Sequence, residues 1–142
     1  MRVAAIDLGT FSAILLVAEL KRGRLIPLHE ERSTVNLEYG TGSTLSSSGL
    51  RRAARTLRRF QRKLDDFQID RGMIVATAAI RHASNRSNAV KLLNQVCDLP
   101  FKVLGTKSEA EYSARGALIG LPNTTPSSLV VDIGGGSSEF IL

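Results

Sequence analysis

The sequence contains few aromatic residues and a single cysteine. Tryptophan is absent and aromatic residues make up 5% of the 142, so Leu, Ile, Val and Ala must form the core. Cys97 by itself permits neither an intrachain disulfide nor a zinc site built from several cysteines. Asp7 interrupts the apolar start, and the next apolar run is far shorter than a membrane span. These features predict a cytoplasmic protein with no membrane partner.

Positive charge is abundant and unevenly placed. The formal net charge is +6, and seven of the 19 basic residues fall within residues 51–63. The same stretch carries apolar residues at helical spacing, which predicts one long helix with a buried stripe: Leu50, Ala53, Ala54, Leu57, Phe60, Leu64 and Phe67. We interpret the basic residues as the solvated face of this helix. The alternative is a surface that binds a polyanion or a nucleic acid.

The first third of the chain predicts three strands, at residues 3–8, 13–20 and 25–33. The first two are nearly continuous apolar runs, as expected for strands covered on both faces. The turns between the three strands are short enough for hairpins, so the strands are expected to be antiparallel. A strand at 73–76 and one at 101–104 alternate with helices later in the chain. This order predicts an α/β fold with a ribonuclease-H-like (actin-like ATPase) mixed sheet flanked by helices.

The helices that follow are expected to begin at polar caps and to bury apolar stripes. Thr77 is the predicted cap of a helical turn at 78–83, and Ser84 or Asn85 that of the next helix. A helix at 107–119 is expected to bury Ala110, Ala114, Ala117, Leu118 and Leu121. We divide the chain into a lobe at 1–121, a linker at 122–128 and the first strands of a second lobe at 129–142, beginning with a strand at 129–133.

Two short loops repeat one plan: an apolar strand, Asp-x-Gly, a tight turn with hydroxyl residues, and a second strand. They read DLGTFS at 7–12 and DIGGGSSE at 132–139. Glycine lets the backbone turn sharply and approach a ligand, and successive N–H groups in such turns bind anions. The candidate phosphate-binding residues are Gly9, Thr10, Ser12, Gly134, Gly135, Gly136, Ser137 and Ser138. Carboxylates beside them suit Mg²⁺.

Four motifs in order resemble the exopolyphosphatase/guanosine pentaphosphate phosphohydrolase family, within the superfamily of acetate and sugar kinases, heat-shock chaperones and actin. They are the two glycine loops, ATAAIRHASN at 76–85 and EAEY at 109–112. The resemblance spans the whole chain and implies hydrolysis of the terminal phosphate of polyphosphate or guanosine pentaphosphate. Phe11 departs from it, because the family usually has Asn there.

The resemblance also implies roles for individual residues. Glu109 corresponds to the glutamate that orients or activates the attacking water, and Arg81 to an arginine facing the transferred phosphoryl group. Asp7, Asp132 and Glu139 correspond to carboxylates near Mg²⁺ and phosphate. The alternative for Glu109 is a capping box, since Thr106-Lys-Ser-Glu109 has that spacing. Glu111 is the second choice for the catalytic carboxylate.

Three functions follow from these patterns. The first is a phosphoanhydride hydrolase, of which this chain is a truncated piece or one lobe and is inactive by itself. The second is an ATPase or kinase of the same superfamily, and the third a basic polyanion- or nucleic-acid-binding module. Polyphosphate or guanosine pentaphosphate is the expected partner rather than nucleic acid, and a homodimer is left open for the intact protein.

Overall fold

The computed structural model of the chain describes residues 1–119, 121, 128–135 and 138–141. Three antiparallel strands come first: β1 (Arg2–Leu8), β2 (Ser12–Lys21) and β3 (Arg24–Thr34). Arg22 and Gly23 make the turn between β2 and β3 with positive φ angles of 51° and 74°. Glycine adopts such angles without steric cost, which explains the tight turn at this position.

Two parallel strands complete the sheet. They are β4 (Arg71–Ala76) and β5 (Phe101–Val103), and β4 pairs with β1 from Val3 to Leu8. The strand order is β3-β2-β1-β4-β5, with antiparallel pairing on one side of β1 and parallel pairing on the other. The mixed sheet predicted from the sequence is therefore confirmed.

The long basic stretch forms the helix α1 (Ser47–Phe67). Ser46 caps it by accepting a hydrogen bond from the backbone N–H of Gly49. Six of the seven predicted stripe residues are buried, and Phe67 packs against the core at its edge. The stripe lies against the sheet because it is the only apolar face that the helix offers.

The sheet is covered by α1 on one face only within the described residues, so the prediction of coverage on both faces was wrong. Along β1 and β2 burial alternates: Ile6 and Leu15 are fully buried, whereas Ala5 and Leu16 are exposed on the other face. The helix α3 (Arg86–Asn94) buries Ala89 and Leu93 in the same core as α1. Strands with apolar residues on both faces are therefore not necessarily covered by helices on both faces of the sheet.

The short helix α2 (Ala78–Arg81) and α3 follow β4, and both begin at the predicted residues. Thr77 and Asn85 occupy the cap positions, but neither side chain makes a capping hydrogen bond. The Asn85 amide instead donates to the carbonyl of Leu45 and accepts from its N–H, at 3.1 and 3.0 Å. Asn85 thus fastens the loop before α1 to the start of α3.

The helix α4 (Thr106–Leu118) has no buried residue, so the predicted buried stripe was wrong. Ala117 is exposed and Leu121 is 58% exposed, while Ala110, Ala114 and Leu118 are half-buried. The reason is its partner: α4 packs against the two-stranded hairpin of β6 (Val130–Ile133) and β7 (Ser138–Ile141), a small surface. The predicted linker at 122–128 lies outside the described residues except for Ser128.

Candidate functional site

The first glycine loop joins β1 to β2 in a tight turn. The Gly9 N–H donates to the Ser12 carbonyl at 2.9 Å, and a Cβ on Gly9 would lie 3.2 Å from that oxygen. The carbonyls of Thr10 and Phe11 accept hydrogen bonds from residues 35–37, which hold the loop from behind. Since the Gly9 N–H bonds within the turn, the anion donors that the first loop has left are the N–H groups of Thr10 and Phe11.

The second glycine loop lies against the first. A Cβ on Gly135 would come within 3.0 Å of the Phe11 Cβ, a contact so short that a larger residue would push the loops apart. The hairpin pairs Asp132 with Glu139 and Ile133 with Ser138. Gly136 and Ser137 lie outside the described residues, as does the side chain of Glu139. The lack of a side chain at Gly135 thus allows the two loops to approach each other closely.

The loops border a cleft of about 610 Å³. Of the site residues predicted from the sequence, eight line it: Asp7, Gly9, Thr10, Ser12, Glu109, Asp132, Gly134 and Gly135. These residues are far apart in sequence, and the fold gathers them at the carboxyl end of β1, the central strand of the sheet. Ser138 and Arg81 are not among the residues that line the cleft.

Asp7 lies at the floor of the cleft, at the end of β1. Asp7 is exposed to solvent at the cleft, although neighbouring protein atoms crowd its carboxyl. Burial raises the pKa of its carboxyl from the ordinary 3.8 to about 6, the charges of Glu109 and Asp132 add to the rise, and Arg32 opposes it. Three carboxylates therefore share one cleft, an arrangement that favours a bound cation.

Glu109 and Arg81 form an ion pair. The Arg81 Nη1 donates to the Glu109 Oε2 at 2.5 Å and to the Leu104 carbonyl at 3.0 Å, and each side chain is only 12% exposed. Arg81 follows β4 through α2, and Glu109 lies in the first turn of α4. The pair joins the two predicted catalytic residues across 28 positions of sequence.

The structure excludes the capping box as the role of Glu109. Gly105 is the cap of α4, no side chain makes a capping hydrogen bond there, and the Glu109 carboxylate is engaged by Arg81. Glu111 is exposed and does not line the cleft. Arg81 is held by Glu109 and Leu104, and its contact with a phosphoryl group stays a prediction.

Two polar residues of the cleft were missed from the sequence. Ser113 donates from its Oγ to the Asp132 Oδ2 at 2.6 Å, and so orients that carboxylate. It follows Glu109 by four positions, a spacing that puts both side chains on the same face of α4 and was a usable signal. Arg32 lines the cleft from β3, where it pairs with Ile14 of β2. Its position depends on strand register, for which the sequence carried no signal.

The cleft offers Mg²⁺ only a small number of protein ligands. No cluster of three or more ligating side chains occurs among the described residues. Mg²⁺ is commonly held by one or two carboxylates, with water and substrate phosphate completing its shell. Asp7 and Asp132 both face the cleft and fit this pattern, and the excess negative charge at Asp7 favours a cation there.

The sequence is similar to those of known proteins. Residues 16–142 match the model of the Ppx/GppA phosphatase family. The chain belongs to this family. Exopolyphosphatase 2 of Mycobacterium tuberculosis (strain ATCC 25618 / H37Rv) is 34% identical over 152 residues, which cover 99% of the chain and 48% of the relative. The chain thus spans about half the length of the curated relatives it matches.

Solved structures of Ppx/GppA proteins share the fold. An exopolyphosphatase from Cytophaga hutchinsonii superposes with a TM-score of 0.92 at 31% identity, covering 99% of this chain and 46% of that one. The Aquifex aeolicus family member gives 0.82 at 30% identity, with the same coverage of 99% and 46%. The family and fold inferred from the four motifs are confirmed. None of the helices within the described residues is both long and apolar enough to cross a membrane.

Proposed function

We propose that the protein is a phosphoanhydride hydrolase that releases the terminal phosphate of polyphosphate or guanosine pentaphosphate. One observation carries the proposal: Glu109, held by Arg81, lines a cleft that is bordered by two glycine loops. Phosphoryl transfer depends mainly on alignment of the reactants and on neutralising phosphate charge. The loops supply N–H donors, and the carboxylate is placed to hold a water molecule.

In this mechanism the Glu109 carboxylate accepts a hydrogen bond from the attacking water and takes its proton as the oxygen bonds to the terminal phosphorus. The bridging P–O bond breaks, and the shortened chain leaves with its electron pair. Arg81 fixes the direction of the Glu109 carboxylate through the Nη1 hydrogen bond. The N–H groups of Thr10 and Phe11 and the hydroxyls of Thr10 and Ser12 bind the phosphate oxygens.

Mg²⁺ is the proposed cofactor, held by Asp7 and Asp132 with Glu139 as a further candidate ligand. It would neutralise charge on the phosphate oxygens. On the protein side, Ser113 fixes the Asp132 carboxylate by its hydrogen bond. The proposal also includes a cytoplasmic location. Polyphosphate and guanosine pentaphosphate are substrates of the same chemical class.

The decisive test replaces the glutamate in the intact protein. Glu109→Gln keeps the shape but removes the base, so phosphate release from polyphosphate with Mg²⁺ should fall by about 10²–10⁴-fold. Glu111→Gln is the matched control, since it alters an exposed carboxylate on the same helix outside the cleft. Equal losses in the two variants would contradict the role of Glu109.

The substrate is tested by comparison of polyphosphate, guanosine pentaphosphate and ATP in parallel assays. Preference for either of the first two supports the proposal, and preference for ATP assigns the protein to the ATPase or kinase alternative. We further propose that the 142-residue chain alone is inactive, because it spans about half the length of its relatives. Mg²⁺-dependent phosphate release by this chain alone would refute that part.

A further inference from the structure

Arg32 is the only positively charged side chain among the described residues that line the cleft. It is exposed, and its guanidinium makes no hydrogen bond and no ion pair with any other described residue. Arg81, the other arginine near the site, is engaged by Glu109 and the Leu104 carbonyl and does not line the cleft. Of the two arginines, Arg32 is therefore the one whose N–H donors face a ligand in the cleft.

Strand register places Arg32 on the sheet face that α1 does not cover, in the same row as Asp7. Arg32 pairs with Ile14 of β2, and Ile14 pairs with Asp7 of β1. Side chains of directly paired residues lie on the same face of a sheet, and neighbouring strands are about 4.8 Å apart. The three residues, all of which line the cleft, therefore form a row about 10 Å long from β3 to β1.

Glu109 reaches the cleft from the other side of β1. The strand order is β3-β2-β1-β4-β5, so β3 and β4 lie on opposite sides of β1. Glu109 lies in the first turn of α4, which follows β5, and it is held by Arg81, which follows β4 through α2. The first glycine loop joins β1 to β2, between the two groups. Arg32 and Glu109 thus flank this loop from opposite sides.

We propose that Arg32 binds the phosphate next to the terminal one and stabilises the charge that this leaving group gains. The inference rests on the proposed function and adds a residue to it. In phosphoryl transfer the attacking and the leaving oxygen lie roughly in line, on opposite sides of the phosphorus. With the water held by Glu109 and the terminal phosphate at the first glycine loop, the leaving oxygen points toward β3 and Arg32.

The guanidinium acts on the bond that breaks. The water oxygen bonds to the terminal phosphorus, its proton passes to Glu109, and the bridging P–O bond breaks with its electron pair going to the leaving phosphate. Arg32 donates charge-assisted hydrogen bonds to that phosphate as its negative charge grows. Its planar fork matches two phosphate oxygens at once. Because the contact requires a second phosphate, Arg32 also selects phosphoanhydrides over phosphate monoesters.

The alternative is that Arg32 only balances the negative charge of the cleft. Its charge lowers the pKa of Asp7 and so opposes the effect of burial on that carboxyl. Both roles place the guanidinium in the cleft, but only the leaving-group role depends on a second phosphate. Ligands with one and with two phosphorus groups therefore separate the two roles.

The first test measures binding without hydrolysis in the intact protein. Methylenediphosphonate has two phosphorus groups joined by a carbon that is not hydrolysed, and methylphosphonate has one. Calorimetry with Mg²⁺ compares the unmodified protein, Arg32→Gln and the control Arg24→Gln, which removes an exposed arginine at the far end of the same strand. We expect Arg32→Gln to weaken binding of methylenediphosphonate at least about tenfold and of methylphosphonate less than about twofold, with no change in the control.

Equal weakening of the two ligands would assign Arg32 to charge balance and overturn the proposal. So would unchanged binding of methylenediphosphonate, an equal loss in Arg24→Gln, or no binding of methylenediphosphonate by the unmodified protein. Arg32→Lys keeps the charge but not the planar fork, and it should restore part of the lost affinity. Circular dichroism establishes that each variant is folded.

The second test follows hydrolysis of polyphosphate by the intact protein. We expect Arg32→Gln to lower kcat by about 10²-fold with a smaller change in KM, because the interaction strengthens as charge develops on the leaving phosphate. Added guanidinium ions should restore part of the activity of Arg32→Ala, whereas sodium ions at the same concentration should not. A loss confined to KM would overturn the leaving-group role. Absence of hydrolysis by the unmodified protein refutes the hydrolase proposal, while the binding test still decides whether Arg32 contacts a second phosphate.

Discussion

At the residue scale, the charged carboxylate of Asp7 in the cleft lowers the stability of the folded chain. The pKa of its carboxyl is raised to about 6 by burial and by its acidic neighbours, so the folded protein binds the proton more tightly than the unfolded chain does. The destabilisation is absent below the ordinary pKa of 3.8 and complete above about 6. This cost to the fold is consistent with the metal role proposed for Asp7.

Replacement of Asp7 by Asn should therefore stabilise the chain in the absence of metal. At pH 7.5 we expect a gain of about 1 kcal/mol, less than the pKa shift alone implies because solvent reaches the carboxyl. The gain should vanish near pH 4. Thermal melts at the two pH values measure it, with Asp66→Asn as an exposed control. Added Mg²⁺ should stabilise the unmodified chain more than the Asp7→Asn variant, and a reversed order would contradict a metal role for Asp7.

The Arg81–Glu109 pair is the second feature at this scale. Both side chains are mostly buried, so removal of one partner leaves a charge without compensation. We expect Arg81→Ala to destabilise the protein by about 2–3 kcal/mol. Addition of Glu109→Gln should recover about 1 kcal/mol or more, because the stranded charge is gone. Urea denaturation of both single variants and the double variant measures this coupling, and strict additivity would show that the pair does not interact.

At the scale of elements, two glycines have opposite effects on the elements that contain them. A Cβ on Gly72 in β4 would lie 2.8 Å from the Ala4 carbonyl of β1 and 2.9 Å from Leu99. Gly116 in α4 has open space around it. The first glycine is required by the contact between strands and the second is a weak point of its helix.

Alanine substitution separates the two cases. Gly72→Ala should destabilise the fold by about 2 kcal/mol, because backbone and a packed side chain must move. Gly116→Ala should stabilise it by about 0.5–1 kcal/mol through helix propensity. Chemical denaturation of the two variants is the measurement. Similar effects of the same sign would mean that the contacts at Gly72 do not decide its identity.

The elements also show which predictions the sequence supported. The cap at Ser46 and the stripe of α1 were predicted correctly, because both depend on residues close in sequence. The stripe of α4 failed, because its burial depends on how large a surface its partner offers. Periodicity indicates which face of a helix is apolar, whereas burial of that face depends on the element that packs against it.

At the scale of the whole molecule, two units of unequal size meet at the cleft. The five-stranded sheet has a large core, whereas β6 and β7 form a two-stranded hairpin packed on α4. Hairpins of two strands are marginally stable without further packing. A ligand bridging the glycine loops would join the two units.

Hydrogen exchange should report this difference. We expect the amides of β6 and β7 to exchange at least about tenfold faster than those of β1 and β2, since less apolar surface protects them. Inorganic triphosphate with Mg²⁺ should slow exchange in the hairpin and leave β1 and β2 unchanged. Mass spectrometry of the exchanged chain measures both effects. Slowing confined to the five-stranded sheet would argue against a ligand that contacts both loops.

The sequence by itself determined the order of elements, the antiparallel opening, the two glycine loops and the candidate residues Glu109 and Arg81. The elements and loops depend on local periodicity and turn chemistry, which the chain carries within short stretches, whereas Glu109 and Arg81 follow from the resemblance of its motifs to the family. Only the tertiary structure decided that Arg81 grips Glu109, that Gly135 meets Phe11, and that Arg32 and Ser113 join the site. The physical reason is distance along the chain: residues far apart in sequence meet only through strand register and helix packing, which many distributed contacts fix together.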